Sequence, residues 1–179
     1  DRQSVKARLI QAYHQDSLRQ ATQQHDLKTG RSRTFQRQHV DIALLKLEGD
    51  GPYPYTPLAS IQTATLGDNI VAMGFPTEGR SIESMGTEDI TATSGAISRL
   101  IRLPNRTVNE IQHTAKIAGG NSGGPLYHRE TNAVVGVNTW GGIFVKSLAR
   151  PGMGLGYYYA IPIDLVWQYF PDYLAVPQQ

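Results

Sequence analysis

Residues Gly119-Gly120-Asn121-Ser122-Gly123-Gly124-Pro125-Leu126 set one serine between pairs of glycines. Glycine ahead of the serine admits backbone dihedrals closed to other residues, so the amides of Gly120 and Ser122 can face one space and stabilise an oxyanion as it develops. Glycine behind it leaves room for a carbonyl approaching the hydroxyl. The pattern suits acyl transfer with Ser122 as nucleophile. A phosphate cradle would need a lysine after the glycines or a following helix, and Pro125-Leu126-Tyr127 offers neither. Taken alone, Ser122 is also an ordinary turn serine, and Asp41 an ordinary carboxylate at a strand edge.

The elements that must position such a serine are short strands. Val5, Ala7 and Leu9 alternate with Lys6 and Arg8, the two-residue period of a half-buried strand. Ile42 to Leu47 is a compact apolar run closed by Glu48-Gly49-Asp50-Gly51-Pro52, a strand followed by a turn. The same grammar recurs at 69–74, 90–97, 108–114, 125–127, 134–139 and 156–161. Residues 16–38 are polar, with the exposed turn expected at 28–33. After Pro162, residues Leu165, Val166, Tyr169 and Phe170 fall at helical spacing behind Asp164, predicting one C-terminal helix.

Composition limits the function classes. The 179 residues are 40% hydrophobic and 18% charged, with 18 glycines and 10 prolines, a turn-rich globular balance rather than a disordered one. A net charge of +2 gives no basic surface for phosphate backbones, so no nucleic-acid partner is expected. Without cysteine, thiolate nucleophiles, disulfides and Cys-based metal sites are excluded. No apolar run approaches the about 20 residues of a membrane span. No His/Asp/Glu cluster shows metal-ligand spacing, and the chemistry needs no cofactor.

Gly120-Asn121-Ser122-Gly123-Gly124-Pro125 resembles the nucleophile segment of the trypsin-like serine peptidases, in the wording of bacterial HtrA/Deg and glutamyl-endopeptidase relatives. Asp41-Ile42-Ala43-Leu44-Leu45-Lys46-Leu47 is similar to the family's aspartate strand, and Val71 to Pro76 to the first strand of its second barrel. Thr93 to Ser98 resembles the strand after that, Val135 to Gly142 the segment that pairs with substrate, and Tyr159 to Ile163 the entry to the C-terminal helix. The resemblance implies an all-β fold of two antiparallel Greek-key barrels with a C-terminal helix. Residues 1–57 would form a partial first barrel carrying Asp41, and 58–179 the second barrel carrying Ser122, with Gly51 to Pro57 as linker. It also implies a serine endopeptidase acting through an acyl-enzyme on a polypeptide substrate. Ser122 would be the nucleophile, Asp41 the residue that orients the base, and the Gly120 and Ser122 amides the oxyanion hole.

The family's third catalytic group, a histidine, has no well-matched counterpart. His14 is followed by polar Gln15-Asp16-Ser17 where an apolar turn belongs, and His39 lies too close to Asp41. His25, His113 and His128 lack matching context and read as surface or hydrogen-bonded structural residues. The base is therefore expected upstream of Asp1, with His14 the alternative and the first barrel N-terminally incomplete. The missing strands could belong to an N-terminal fragment of the same precursor. The rival reading is a catalytically silent pseudo-protease that binds extended peptides or a partner protein in the same cleft.

By the same resemblance, Lys116, Thr139, Trp140 and Gly141 would contact substrate. Lys116, six residues before Ser122, would attract an acidic side chain or else point to solvent. A threonine at 139, where glutamyl endopeptidases carry histidine, argues against strict glutamate specificity. Asn121 replaces the aspartate that pairs with a freed N-terminus in zymogen-activated relatives; loop order at 118–119 and 142–154 would control activity instead. An extracytoplasmic location, secreted or periplasmic, is expected.

Overall fold

The computed structural model describes residues 5–14, 22–26, 31–35, 41–76, 90–103, 105–141 and 156–174. It divides into two units, Asp1–Asp50 and Gly51–Gln179.

In the first unit, β1 (Ala7–His14) pairs antiparallel with β4 (Asp41–Leu47), and β2 (Thr22–Asp26) with β3 (Arg31–Phe35). The polar stretch thus holds a hairpin, and Arg31 to Arg33, expected in the turn, belong to β3. Thr-Gln-Gln-His-Asp and Arg-Ser-Arg-Thr-Phe carry no apolar alternation, the signal on which a strand is recognised. In the β1–β4 ladder Leu9 stands opposite Leu45 and Ala7 opposite Leu47, with a register shift between Leu9 and Gln11. Leu9, Leu45 and Leu47 are all exposed, while Ile42 is buried.

The second unit is a closed barrel of six strands in the order β10-β7-β6-β5-β8-β9. These are β5 (Asn69–Gly74), β6 (Thr91–Arg102), β7 (Val108–His113), β8 (Pro125–His128), β9 (Ala133–Gly141) and β10 (Tyr158–Pro162). Closure gives every strand of the barrel two neighbours, and its interior is filled by a cluster that includes Ile70, Ala72, Ile97, Ile111, Leu126, Val135 and Ala160. Residues 57–59 pin onto β9, with the Val134 amide donating to Pro57 O (2.8 Å) and the Ala59 amide to Val134 O (3.0 Å).

The C-terminal helix α1 (Ile163–Tyr169) follows Pro162 directly and buries Ile163, Leu165 and Trp167. The carboxylate of Asp164 accepts hydrogen bonds from Ser60 Oγ (2.6 Å) and the Ile61 amide (2.9 Å). The helix start is thereby tied to the short 3-10 turn Ile61–Thr63, and an acidic residue in the first turn also suits the helix dipole.

Candidate active site

Two consecutive tight turns carry the serine. The Asn121 amide donates to Ala118 O and the Gly124 amide to Asn121 O, each at 3.0 Å, closing the turns 118–121 and 121–124. The third residue of each is a glycine at positive φ, Gly120 at +96° and Gly123 at +84°, as type II turns require. Ser122 is the second residue of the second turn and is exposed there.

Neighbouring strands clamp these turns from two sides. Toward β9, the Gly123 amide donates to Asn138 O and the Asn138 amide to Gly124 O, both at 2.8 Å. Toward β5, the Phe75 amide donates to Gly120 O at 3.4 Å, and a Cβ at Gly120 would lie 2.2 Å from Phe75 O. Asn138, fully buried, joins the two sides: its Nδ2 donates to Met73 O (3.3 Å) and Pro125 O (3.1 Å). Asn121 is buried behind the serine, and its Oδ1 has no partner.

The Ser122 hydroxyl donates to the carbonyl of Thr139 at 2.5 Å, and Thr139 Oγ1 donates to Tyr159 O at 3.2 Å. Trp140 and Gly141 pair with Tyr159 and Tyr158 of β10. On its other edge β9 pairs with β8 only over Ala133 to Val137, so the edge beyond Asn138 has no β8 partner. Lys116 is exposed on the connection from β7 to the serine turns, and its carbonyl accepts from Thr93 Oγ1 at 2.5 Å. Among the described residues, no acceptor takes up the amides of Gly120 or Ser122.

Second-unit candidates Lys116, Gly120, Ser122, Thr139, Trp140 and Gly141 thus fall on the serine turns or the strands and connection that hold them. Asp41 opens β4 of the first unit, where it is exposed and stands opposite His14 in register. His39 lies outside the described residues, as do loop 142–154 and the side chains of His14 and His25.

The two histidines of the second unit do not reach the serine hydroxyl. His128 is buried and placed by Thr131 Oγ1 on Nδ1 and Asp68 Oδ2 on Nε2, each at 3.1 Å. The Thr65 amide and hydroxyl, with His128 as a smaller contributor, hold the Asp68 carboxyl below its ordinary range. Asp68, His128 and Glu130 bring ligand atoms within 4.8 Å of one another, a grouping hidden in sequence because β5, β6, β7 and the serine turns lie between Asp68 and the other two. Both His128 nitrogens are already engaged by protein groups, so the cluster is satisfied as a staple between the β8–β9 turn and the entry to β5.

His113 departs from the expectation of a surface or hydrogen-bonded histidine: it has no exposed surface, and neither ring nitrogen has a partner. Its position at the end of β7, in phase with Ile111, turns it inward. Burial pushes its pKa down to about 4, and the nearby Ala115 backbone, outside hydrogen-bond geometry, offsets only part of that. Asn138 was also missed, since an asparagine inside Val-Gly-Val-Asn-Thr-Trp carries no local sign that it will span two strands.

A family model described as "Trypsin-like peptidase domain" matches residues 4–137. The chain belongs to the trypsin-like peptidase family. Among its relatives, mouse "Serine protease HTRA4" is 34% identical over 134 residues, covering 75% of this chain and 25% of the relative. The "Probable periplasmic serine endoprotease DegP-like" of Rickettsia conorii is 35% identical over 129 residues, 69% of this chain and 22% of that one. "Serine protease HTRA1" of Xenopus laevis is 31% identical over 159 residues, 84% of this chain and 31% of the relative. The chain spans about a quarter of the length of these curated relatives. The closed barrel β5–β10 of this trypsin-like chain agrees with the all-β barrel fold that the resemblance implies. No described helix is long and apolar enough to cross a membrane.

Proposed function

We propose that this trypsin-like chain carries the nucleophile of a serine endopeptidase. The observation that carries the reading is the pair of clamped turns presenting an exposed Ser122 beside the amides of Gly120 and Ser122. A base takes the hydroxyl proton, Oγ adds to the scissile carbonyl, and the resulting oxyanion is held by those amides. The amine then leaves with the proton, and water repeats the sequence on the acyl-enzyme. Asp41 orients the base and stabilises its protonated form. The hydroxyl must first leave the Thr139 carbonyl, which then faces the substrate. An extended polypeptide can add to β9 at Thr139, Trp140 and Gly141, where the β8 ladder has ended.

The base is assigned to a segment upstream of Asp1, with His14, which stands opposite Asp41 in the β1–β4 register, as the alternative. Strands from that segment, in the same chain or a cleaved fragment, complete the first barrel; the exposed Leu9, Leu45 and Leu47 supply the apolar surface they would cover. An extracytoplasmic location is favoured by the periplasmic name of the rickettsial relative, against a mitochondrial one for bovine HTRA2.

The test is degradation of an unfolded protein such as casein by the full-length protein. Cleavage that disappears in Ser122→Ala supports the proposal. A folded protein that binds extended peptides without cleaving them supports the silent peptide-binding alternative.

A further inference from the structure

Two large apolar side chains are left open beside the serine turns, Phe75 at 48% exposure and Ile90 at 58%. The β5–β6 register ends with Gly74 opposite Thr91, so Phe75 and Ile90 are the next residues at that end of the ribbon. Scattered apolar residues are ordinary on a surface; here the position is what matters. The Phe75 amide donates to Gly120 O at 3.4 Å, and the Phe75 carbonyl leaves no room for a Cβ on Gly120. Gly120 is the residue whose amide holds the oxyanion in the proposed reaction.

The strand on the other flank decides which part of a substrate comes this way. The Ser122 hydroxyl reaches the Thr139 carbonyl at 2.5 Å, so the bond to be cut lies level with Thr139. Residues before that bond can pair with Thr139 to Gly141, where β9 has no β8 partner. Residues after it cannot continue along the same edge, because Asn138 already exchanges two hydrogen bonds of 2.8 Å with Gly123 and Gly124. The leaving part of the chain must therefore turn away from β9 across the serine turns. The described segment on their far flank is the β5 exit, Phe75 and Pro76. From the oxyanion to Phe75 the path crosses only Gly120, a distance that a chain advancing about 3.3 Å per residue covers within two residues.

We propose that Phe75, with Ile90 across the ribbon from it, is a specificity-determining residue on the leaving side, an apolar platform for the side chain of the second residue after the scissile bond. The proposal rests on the reading of Ser122 as nucleophile. A leucine-sized side chain at that substrate position covers apolar surface on both partners, which favours it over a small or charged one.

The test uses the full-length protein and peptides that differ only in the second residue after the scissile bond: leucine, alanine or glutamate. The expected wild-type kcat/KM for leucine exceeds each of the others by about tenfold, the low end for an apolar contact because the platform is open on one side. Phe75→Ala keeps the amide and carbonyl that meet Gly120 and removes the ring, so the leucine advantage falls to about twofold or less; a general loss shared by the three peptides cancels in the ratio. Ile90→Ala lowers the advantage by a smaller factor. The wild-type order is decisive even if a variant fails to fold: no advantage for leucine overturns the proposal. So does a folded Phe75→Ala that keeps the full advantage. A protein that cleaves none of the peptides and takes no serine-directed fluorophosphonate label removes the protease reading, and this proposal with it; cleavage without the leucine advantage removes this proposal alone.

Discussion

Gly120→Ala and Gly123→Ala separate the two demands that the serine turns make on glycine. Both positions have positive φ, +96° and +84°, a conformation that costs an L-residue about 1–2 kcal/mol. Only Gly120 is also crowded: an added Cβ would meet Phe75 O at 2.2 Å and Pro76 Cα at 3.2 Å, whereas nothing lies within 4 Å at Gly123. Real Cβ contacts stay beyond 3.0 Å, so Gly120→Ala must displace the turn or the β5 exit by most of an ångström. The Gly120 amide moves with it. Loss of one oxyanion donor costs about 10²–10³ in kcat, so Gly120→Ala is expected to lose that much. Gly123→Ala should show chiefly the backbone strain, seen as a lower melting temperature. The assay is kcat/KM on a peptide substrate with a thermal melt of each variant alongside. Equal activity losses for the two alanines, or a fully active Gly120→Ala, would refute the reasoning from the Phe75 contact.

Three further outcomes follow from polar groups of the second unit. Asn138→Ala strands the Met73 and Pro125 carbonyls and should lower stability by about 2–4 kcal/mol in urea unfolding, with slower fluorophosphonate labelling of Ser122 because the turns lose their tie to β5. His113 has a folded pKa lowered to about 4 against 6.5 unfolded, so the unfolded chain takes up the proton first as pH falls. Its contribution to stability is full above pH 6.5 and declines down to about 4, by about 3 kcal/mol in all; urea unfolding of His113→Gln should show a flatter pH dependence over that window. Asp68 has a folded pKa below its ordinary value because Thr65 and His128 favour the ionised form. Its stabilisation is present above pH 3.8 and lost as pH falls through the lower folded value, so the melting-temperature gap between wild type and Asp68→Asn should close in acid.

The second barrel was largely legible in the sequence because its strands are short runs rich in apolar residues: those expected at 69–74 and 108–114 became Asn69–Gly74 and Val108–His113, while the one expected at 90–97 runs on to Arg102. The helix was legible too, with Pro162 and Asp164 marking its start. β2 and β3 were not, because a polar hairpin held by backbone pairing leaves no hydrophobic period. At the site, the motif supplied Ser122 and Gly120, whose roles depend on local turns. The residue it did not supply acts across the fold: Asn138 reaches Met73 on another strand.

The most direct measurement is intact-mass spectrometry of the full-length protein after treatment with a fluorophosphonate, with Ser122→Ala in parallel. The account predicts a shift of one label on the segment containing Ser122, none in the variant, and loss of peptidase activity in proportion to labelling. A folded protein that takes no label at Ser122, or one whose Ser122→Ala variant still cleaves peptides, would contradict it.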